Sequence, residues 1–181
     1  MTDNRYLTAS KHWLEHTVIN LNLCPFAKRE FINNRIRFTV SQANTTQQLL
    51  QKLQTELTHL EDNPNTATTL IIHPQVLQHF DDYNDFLDDV DALLIRQGFE
   101  SHYQIASFHP HYQFSGTQAE DAENYTNRSP FPLLHILREQ SVEQALASYP
   151  NPEQIPARNI ALMNKIGTAT LQQQLQAGFK D

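Results

Sequence analysis

LLHILRE, residues 133–139, is either the fourth strand of a sheet or the opening of a helix. Its apolar density favours a strand, and because no crossover helix precedes it, it is expected to run antiparallel to its neighbour. That direction separates a mixed sheet from an all-parallel one. In a strand, His135 shares a face with Leu133 and Leu137, which suits a core histidine with one hydrogen bond, while Arg138 and Glu139 point to opposite faces.

Upstream, IRFTV (36–40) alternates Ile36, Phe38 and Val40 against Arg37 and Thr39, the period of a half-buried strand. Thr45 and Gln48 have capping-box spacing ahead of Leu49, Leu53, Leu57 and Leu60, so a helix follows and ends at the EDNPN turn. TTLIIHP (68–74) is a second strand. Phe80, Tyr83, Leu87, Val90 and Leu94 then recur at helical spacing up to Gly98, and YQIASF (103–108) is a third strand. Two strand-helix-strand units in succession predict parallel neighbours whose carboxyl ends share one edge.

Outside this block, Tyr6, Leu7, Leu14, Val18 and Leu21 mark an amphipathic helix with Lys11, Glu15 and His16 on its polar face. Ser141 and Gln144 predict a capped helix, and Pro156 the first turn of a last helix ending near Gly178. The expected fold is α+β: one domain over residues 1–181, with about four strands in a mixed sheet, βαβ crossovers and packing helices. A three-layer α/β arrangement is the alternative.

Composition narrows function. With 13 Lys+Arg against 20 Asp+Glu, a net charge of -7 argues against nucleic acid, whose binding relies on clustered cations. No stretch approaches the roughly 20 apolar residues that span a bilayer, and the N-terminus lacks a secretion pattern. One cysteine excludes an internal disulfide framework, so a cytoplasmic protein is expected.

The chemistry is expected at the shared carboxyl edge, where open α/β sheets bind ligands. His73 ends the second strand there, and FHPHYQFSGTQAEDAENYTNRSPFP (108–132) forms a long polar connection above it, with Gly116 a candidate hinge. A connection this long inside a domain is usually functional or disordered. The fork of Arg128, with Asn127 and Ser129, suits a carboxylate or phosphate, and Asn124, His73 and Arg138 are further candidates. A plainer reading has Arg128 tie down its own acidic loop, AEDAEN, through a salt bridge. His109 or His111 is the candidate acid/base. Cys24, in LNLCPFAKRE, is a candidate nucleophile if Pro25 opens a short helix; buried packing among Leu21, Leu23 and Phe26 is the alternative.

The leading expectation is therefore a small-molecule enzyme or binding protein for an anionic ligand. A non-catalytic partner-binding module is the second reading, using the acidic helix and Tyr112, Phe114, Tyr125 and Phe131. The third is a metalloenzyme built on His109, His111 and Asp121 or Glu123. No metal ligand set or cofactor is assigned. DDYNDFLDDVD (81–91) lacks the pattern of a calcium loop and reads as a solvated acidic helix face. Together LNLCPFA, FHPHYQF and NRSPFPLLHILRE resemble a bacterial family catalogued as domain of unknown function 1415, a resemblance that spans nearly the whole chain and implies no particular activity.

Overall fold

The computed structural model describes residues 2–179. In chain order its elements are α1 (Thr2–Trp13), a π-helical turn (Leu14–Ile19), α2 (Ala27–Ile32), β1 (Ile36–Val40), α3 (Thr46–Asp62), β2 (Thr68–Ile72), α4 (Phe80–Gln97) and β3 (Tyr103–Phe108). A 3-10 turn (Ala122–Thr126), β4 (Leu133–Arg138), α5 (Glu139–Ser148), a short 3-10 turn (Pro152–Gln154), α6 (Ile155–Ile166) and α7 (Thr168–Ala177) follow. The fold is α+β.

LLHILR is a strand, and it is antiparallel. The sheet order is β1-β2-β4-β3, with β1 and β2 parallel. This corrects one expectation: β3 runs in the direction of β2, but β4 lies between them. Burial accounts for the insertion. Every residue of β2 is buried, as are Leu133, Leu134 and Ile136 of β4, so the two most continuous apolar runs take the centre, where both faces are covered. Strands with Arg37 or Gln104 take the edges. The carboxyl ends of β1, β2 and β3 still share one edge, together with the start of β4.

On one face, Leu49, Leu53, Leu57 and Leu60 of α3 and Tyr83, Phe86 and Val90 of α4 pack over Ile71, Leu134, Ile136 and Tyr103. On the other, Trp13, Leu14 and Val18 pack over Leu70 and Leu133, flanked by Phe31, Ile36, Phe38 and Phe108. Helices thus cover both faces, the layering of the three-layer alternative, over a mixed sheet. A third cluster, Leu23, Ala122, Tyr125, Met163 and Leu171, fastens the long connection to α6 and α7.

Local signals act as their chemistry requires. Thr45 Oγ1 accepts the Gln48 N–H at 3.2 Å while the Gln48 side chain accepts the Asn44 N–H at 3.0 Å, capping α3. Gly98 closes α4 with φ 70°, a left-handed conformation glycine adopts freely.

Three helix boundaries depart from expectation. α5 begins at Glu139 rather than Ser141, because Arg138 is still extended and the Glu139 N–H is taken by the His102 carbonyl, so the helix starts directly off the strand. The last helix is two, broken at Gly167, whose φ of 84° and ψ of 149° interrupt the helical ladder. α2 starts at Ala27, so Pro25 lies outside it and Cys24 is not its N-terminal residue.

Candidate functional site

The shared edge gathers His73, Tyr83 and His109 into a stack. Tyr83, from α4, lies parallel to His73 with ring centroids 5.8 Å apart and 5.1 Å from His109. All three are fully buried. The Tyr83 hydroxyl donates to the Leu133 carbonyl at 2.9 Å and accepts the Phe108 N–H at 3.0 Å, so one side chain joins the start of β4 to the end of β3. Tyr83 was legible in sequence only as an apolar helix position.

The partners fix the tautomers. His73 Nδ1–H donates to the Val76 carbonyl at 3.1 Å. His109 Nε2–H donates to the Leu77 carbonyl at 3.2 Å, and its Nδ1 accepts the His111 N–H at 3.0 Å. A carbonyl cannot donate and an amide N–H cannot accept, so the His109 ring is neutral, while the bond of His73 fixes a proton on Nδ1 and its burial disfavours a second on Nε2. Burial pushes both down to about 4 and pushes the Tyr83 hydroxyl up. His109 holds no free lone pair for a proton or a metal. His73 Nε2 keeps one, with no partner among the described residues.

The connection is knit to itself. Asn124, fully buried, donates through Nδ2 to the Gln118 carbonyl at 2.7 Å, and its Oδ1 accepts the Phe114 N–H at 3.0 Å and the Thr117 hydroxyl at 2.9 Å. Arg128 donates from Nε to the Tyr112 carbonyl at 3.2 Å and from Nη2 to the Ala119 carbonyl at 2.6 Å, with its guanidinium 4.6 Å from the Tyr125 ring centroid. Arg128 does tie down AEDAEN, through a carbonyl rather than a salt bridge. Asn127 Nδ2 donates to the Ser107 carbonyl at 3.0 Å and Ser129 Oγ to the Phe131 carbonyl at 2.7 Å. The donors grouped in sequence as an anion cradle thus each face their own backbone.

The remaining candidates lie elsewhere. Arg138 ends β4 at the opposite edge of the sheet, because the strand is antiparallel; it donates to the Thr66 and Leu60 carbonyls and, at 3.0 Å, to the Tyr103 hydroxyl. Cys24 packs in the cluster of Trp13 and Val18, on the face away from α4, so thiol and imidazoles are not partners. His111 is exposed, Tyr125 is buried, and Tyr112, Phe114 and Phe131 are half-buried. Among the described residues no three His, Cys, Asp or Glu side chains stand close enough to hold one metal ion. His135, whose Nε2 lies 2.6 Å from the Thr68 hydroxyl, is pushed down to about 4 by burial.

Two surface cavities open on the described chain, the first adjoining this edge through Leu77, whose carbonyl pairs with His109, and the second beside the start of β1. One, of about 400 Å³, lies between the start of α3 and α4 and is lined by Thr46, Leu77, Phe86, Asp82, Asp85 and Asp89. The other, of about 300 Å³, opens beside β1 and is lined by Leu7, Lys11, Phe31, Asn34, Ile36 and Phe38.

A family model described as "Protein of unknown function (DUF1415)" matches residues 5–173. The chain belongs to this family. No curated protein and no solved structure matches it. The DUF1415 match covers the sheet, the self-bonded connection and both cavities, and it carries no activity that would choose among them. No described helix is long and apolar enough to cross a membrane.

Proposed function

We propose that the protein is a non-catalytic binding module that holds a basic, amphipathic segment of a partner protein in the cavity between α3 and α4. One observation carries the reading. Asp82, Asp85 and Asp89 recur at i, i+3 and i+7 along one side of α4, and none has an ion-pair partner among the described residues. Leu77 and Phe86 supply an apolar floor between them. A partner bearing Lys or Arg around a Leu or Phe anchor satisfies both features, since charge steers the encounter and the anchor supplies desolvated area.

The other readings draw less support. Acid/base work by His109 needs a ring nitrogen that its two backbone partners occupy. An anion held by Asn127, Arg128 and Ser129 would compete with the carbonyls those donors already meet. The acidic rim and net charge of -7 also weigh against nucleic acid. The same proposal places the protein, as one domain, in a bacterial cytoplasm, where a lone cysteine stays reduced.

A labelled peptide alternating Lys and Leu tests this. Anisotropy is expected to show saturable binding that weakens about tenfold between low and moderate salt. Binding should be lost in the Asp82→Asn, Asp85→Asn, Asp89→Asn triple variant. Equal affinity of that variant, or of a Glu-Leu peptide for the wild type, would remove the proposal.

A further inference from the structure

We infer that the cavity beside β1 is a second binding site, independent of the partner groove, for a small monocarboxylate with an apolar body. Leu7 and Lys11, one helical turn apart on α1, form one wall; Phe31 of α2 and Ile36 and Phe38 of β1 form the others. Asn34 lies in the turn between α2 and β1 with φ 54°, a left-handed conformation that asparagine tolerates, and its N–H donates to the Phe31 carbonyl at 3.1 Å. That turn reverses the chain, so Phe31 and Ile36 face one space.

The polar equipment of this space is one cation and one amide. The Lys11 ammonium lies 5.6 Å from the centroid of the Phe38 ring, a contact that holds it at the mouth without neutralising it. No lining residue is acidic. Glu15, one turn beyond Lys11 in the π-helical turn, forms no ion pair with it, and Glu30 already pairs with Arg29 and Arg35. Among the described residues Lys11 has neither an ion-pair nor a hydrogen-bond partner.

An apolar cleft with a few placed polar groups is the usual form of a small-molecule site, and about 300 Å³ sits at the lower end of such volumes. A phosphate ester or polyanion is a poorer match, because a single ammonium lacks the several donors that such groups recruit. A carboxylate offers one charge to Lys11 and one acceptor to the Asn34 amide while its body meets Leu7, Phe31, Ile36 and Phe38.

The test compares octanoate with 1-octanol by calorimetry, with amide chemical shifts locating the site. Octanoate should bind saturably, perturbing residues 7–11 and 31–38, and more tightly than the alcohol. Lys11→Met keeps the bulk and removes the charge; it should weaken octanoate about tenfold or more and leave octanol unchanged. Leu7→Trp should fill the cavity and abolish both, with chemical shifts elsewhere showing an intact fold. Absence of saturable octanoate binding to the wild type, shifts located elsewhere, or unchanged affinity in Lys11→Met would each overturn the inference. Loss of the Lys-Leu peptide in the α4 variant leaves this site untouched, so the two proposals fail separately.

Discussion

The connection at 109–132 and helix α4 are both crowded with polar side chains, and the structure uses the two in opposite ways. In the connection, Asn124, Asn127, Arg128 and Ser129 turn toward main-chain groups of the connection itself or of β3. On α4, Asp82, Asp85 and Asp89 face an open cavity without a partner in the described chain. The difference follows from backbone demand. A long stretch with little regular structure leaves carbonyls and amides unpaired, and neighbouring side chains must satisfy them. A helix pairs its own backbone, so its side chains stay available. Polar density in a sequence therefore does not distinguish a site from a seam.

If the connection is a seam, protons should find it before any ligand does. His73 and His109 sit at about 4 in the folded protein against an unfolded value near 6.5, so the unfolded chain takes up protons first as pH falls. Their stabilising contribution is complete above about 6.5 and is lost progressively toward 4, on the order of 3 kcal/mol for each ring. Urea midpoints measured across this window should drop steeply, and less so in His73→Asn or His109→Gln. A flat profile would show that the edge admits water and charge, contrary to a sealed seam. Glu56 behaves differently: burial pushes its carboxyl up, hydrogen bonds from Arg37 and Lys52 more than offset this, and its contribution fades only at lower pH.

Next in size is Asn124→Ala. Removing this amide leaves the Phe114 N–H unpaired, while the Thr117 hydroxyl keeps the Phe114 carbonyl and the Gln118 carbonyl keeps the Asp121 N–H, and a loss of about 1–3 kcal/mol is expected in chemical denaturation. Lys-Leu peptide affinity should be preserved. A variant as stable as the wild type would mean that the connection is held by something other than its inward hydrogen bonds.

Much of this architecture was legible because periodicity and connection logic are local. IRFTV, TTLII and YQIASF announce themselves by alternation or apolar run, and the direction of LLHILR follows from the absence of a crossover helix before it. The place of β4 between β2 and β3 was not, since it depends on which strands bury both faces. Arg138 reads as a further ligand candidate beside Arg128, although the antiparallel strand that ends in it carries it to the opposite edge. Lys11 read as an ordinary polar-face residue, and Asp82, Asp85 and Asp89 as a solvated face. Both cavities are assembled across long separations, from Leu7 to Phe38 and from Thr46 to Asp89, where no spacing rule reaches.

The smallest expected effect is also the sharpest comparison of the two regions. Asp85 and Asp89 are four residues apart on one helix face, an arrangement of like charges that costs a few tenths of a kcal/mol. Both stand beyond the first turn of α4, so neither gains much from the helix dipole. With no partner to lose, Asp85→Asn with Asp89→Asn should raise stability by about 0.2–0.5 kcal/mol in urea denaturation, even as Lys-Leu binding weakens. That pairing of higher stability with lower affinity is what a surface kept for a partner predicts, whereas Asn124, Asn127, Arg128 and Ser129 of the connection should each cost stability when removed. A loss of more than about 1 kcal/mol in the double variant would mean that these carboxylates serve the fold, as Asn124 does, and the contrast between the two regions would collapse.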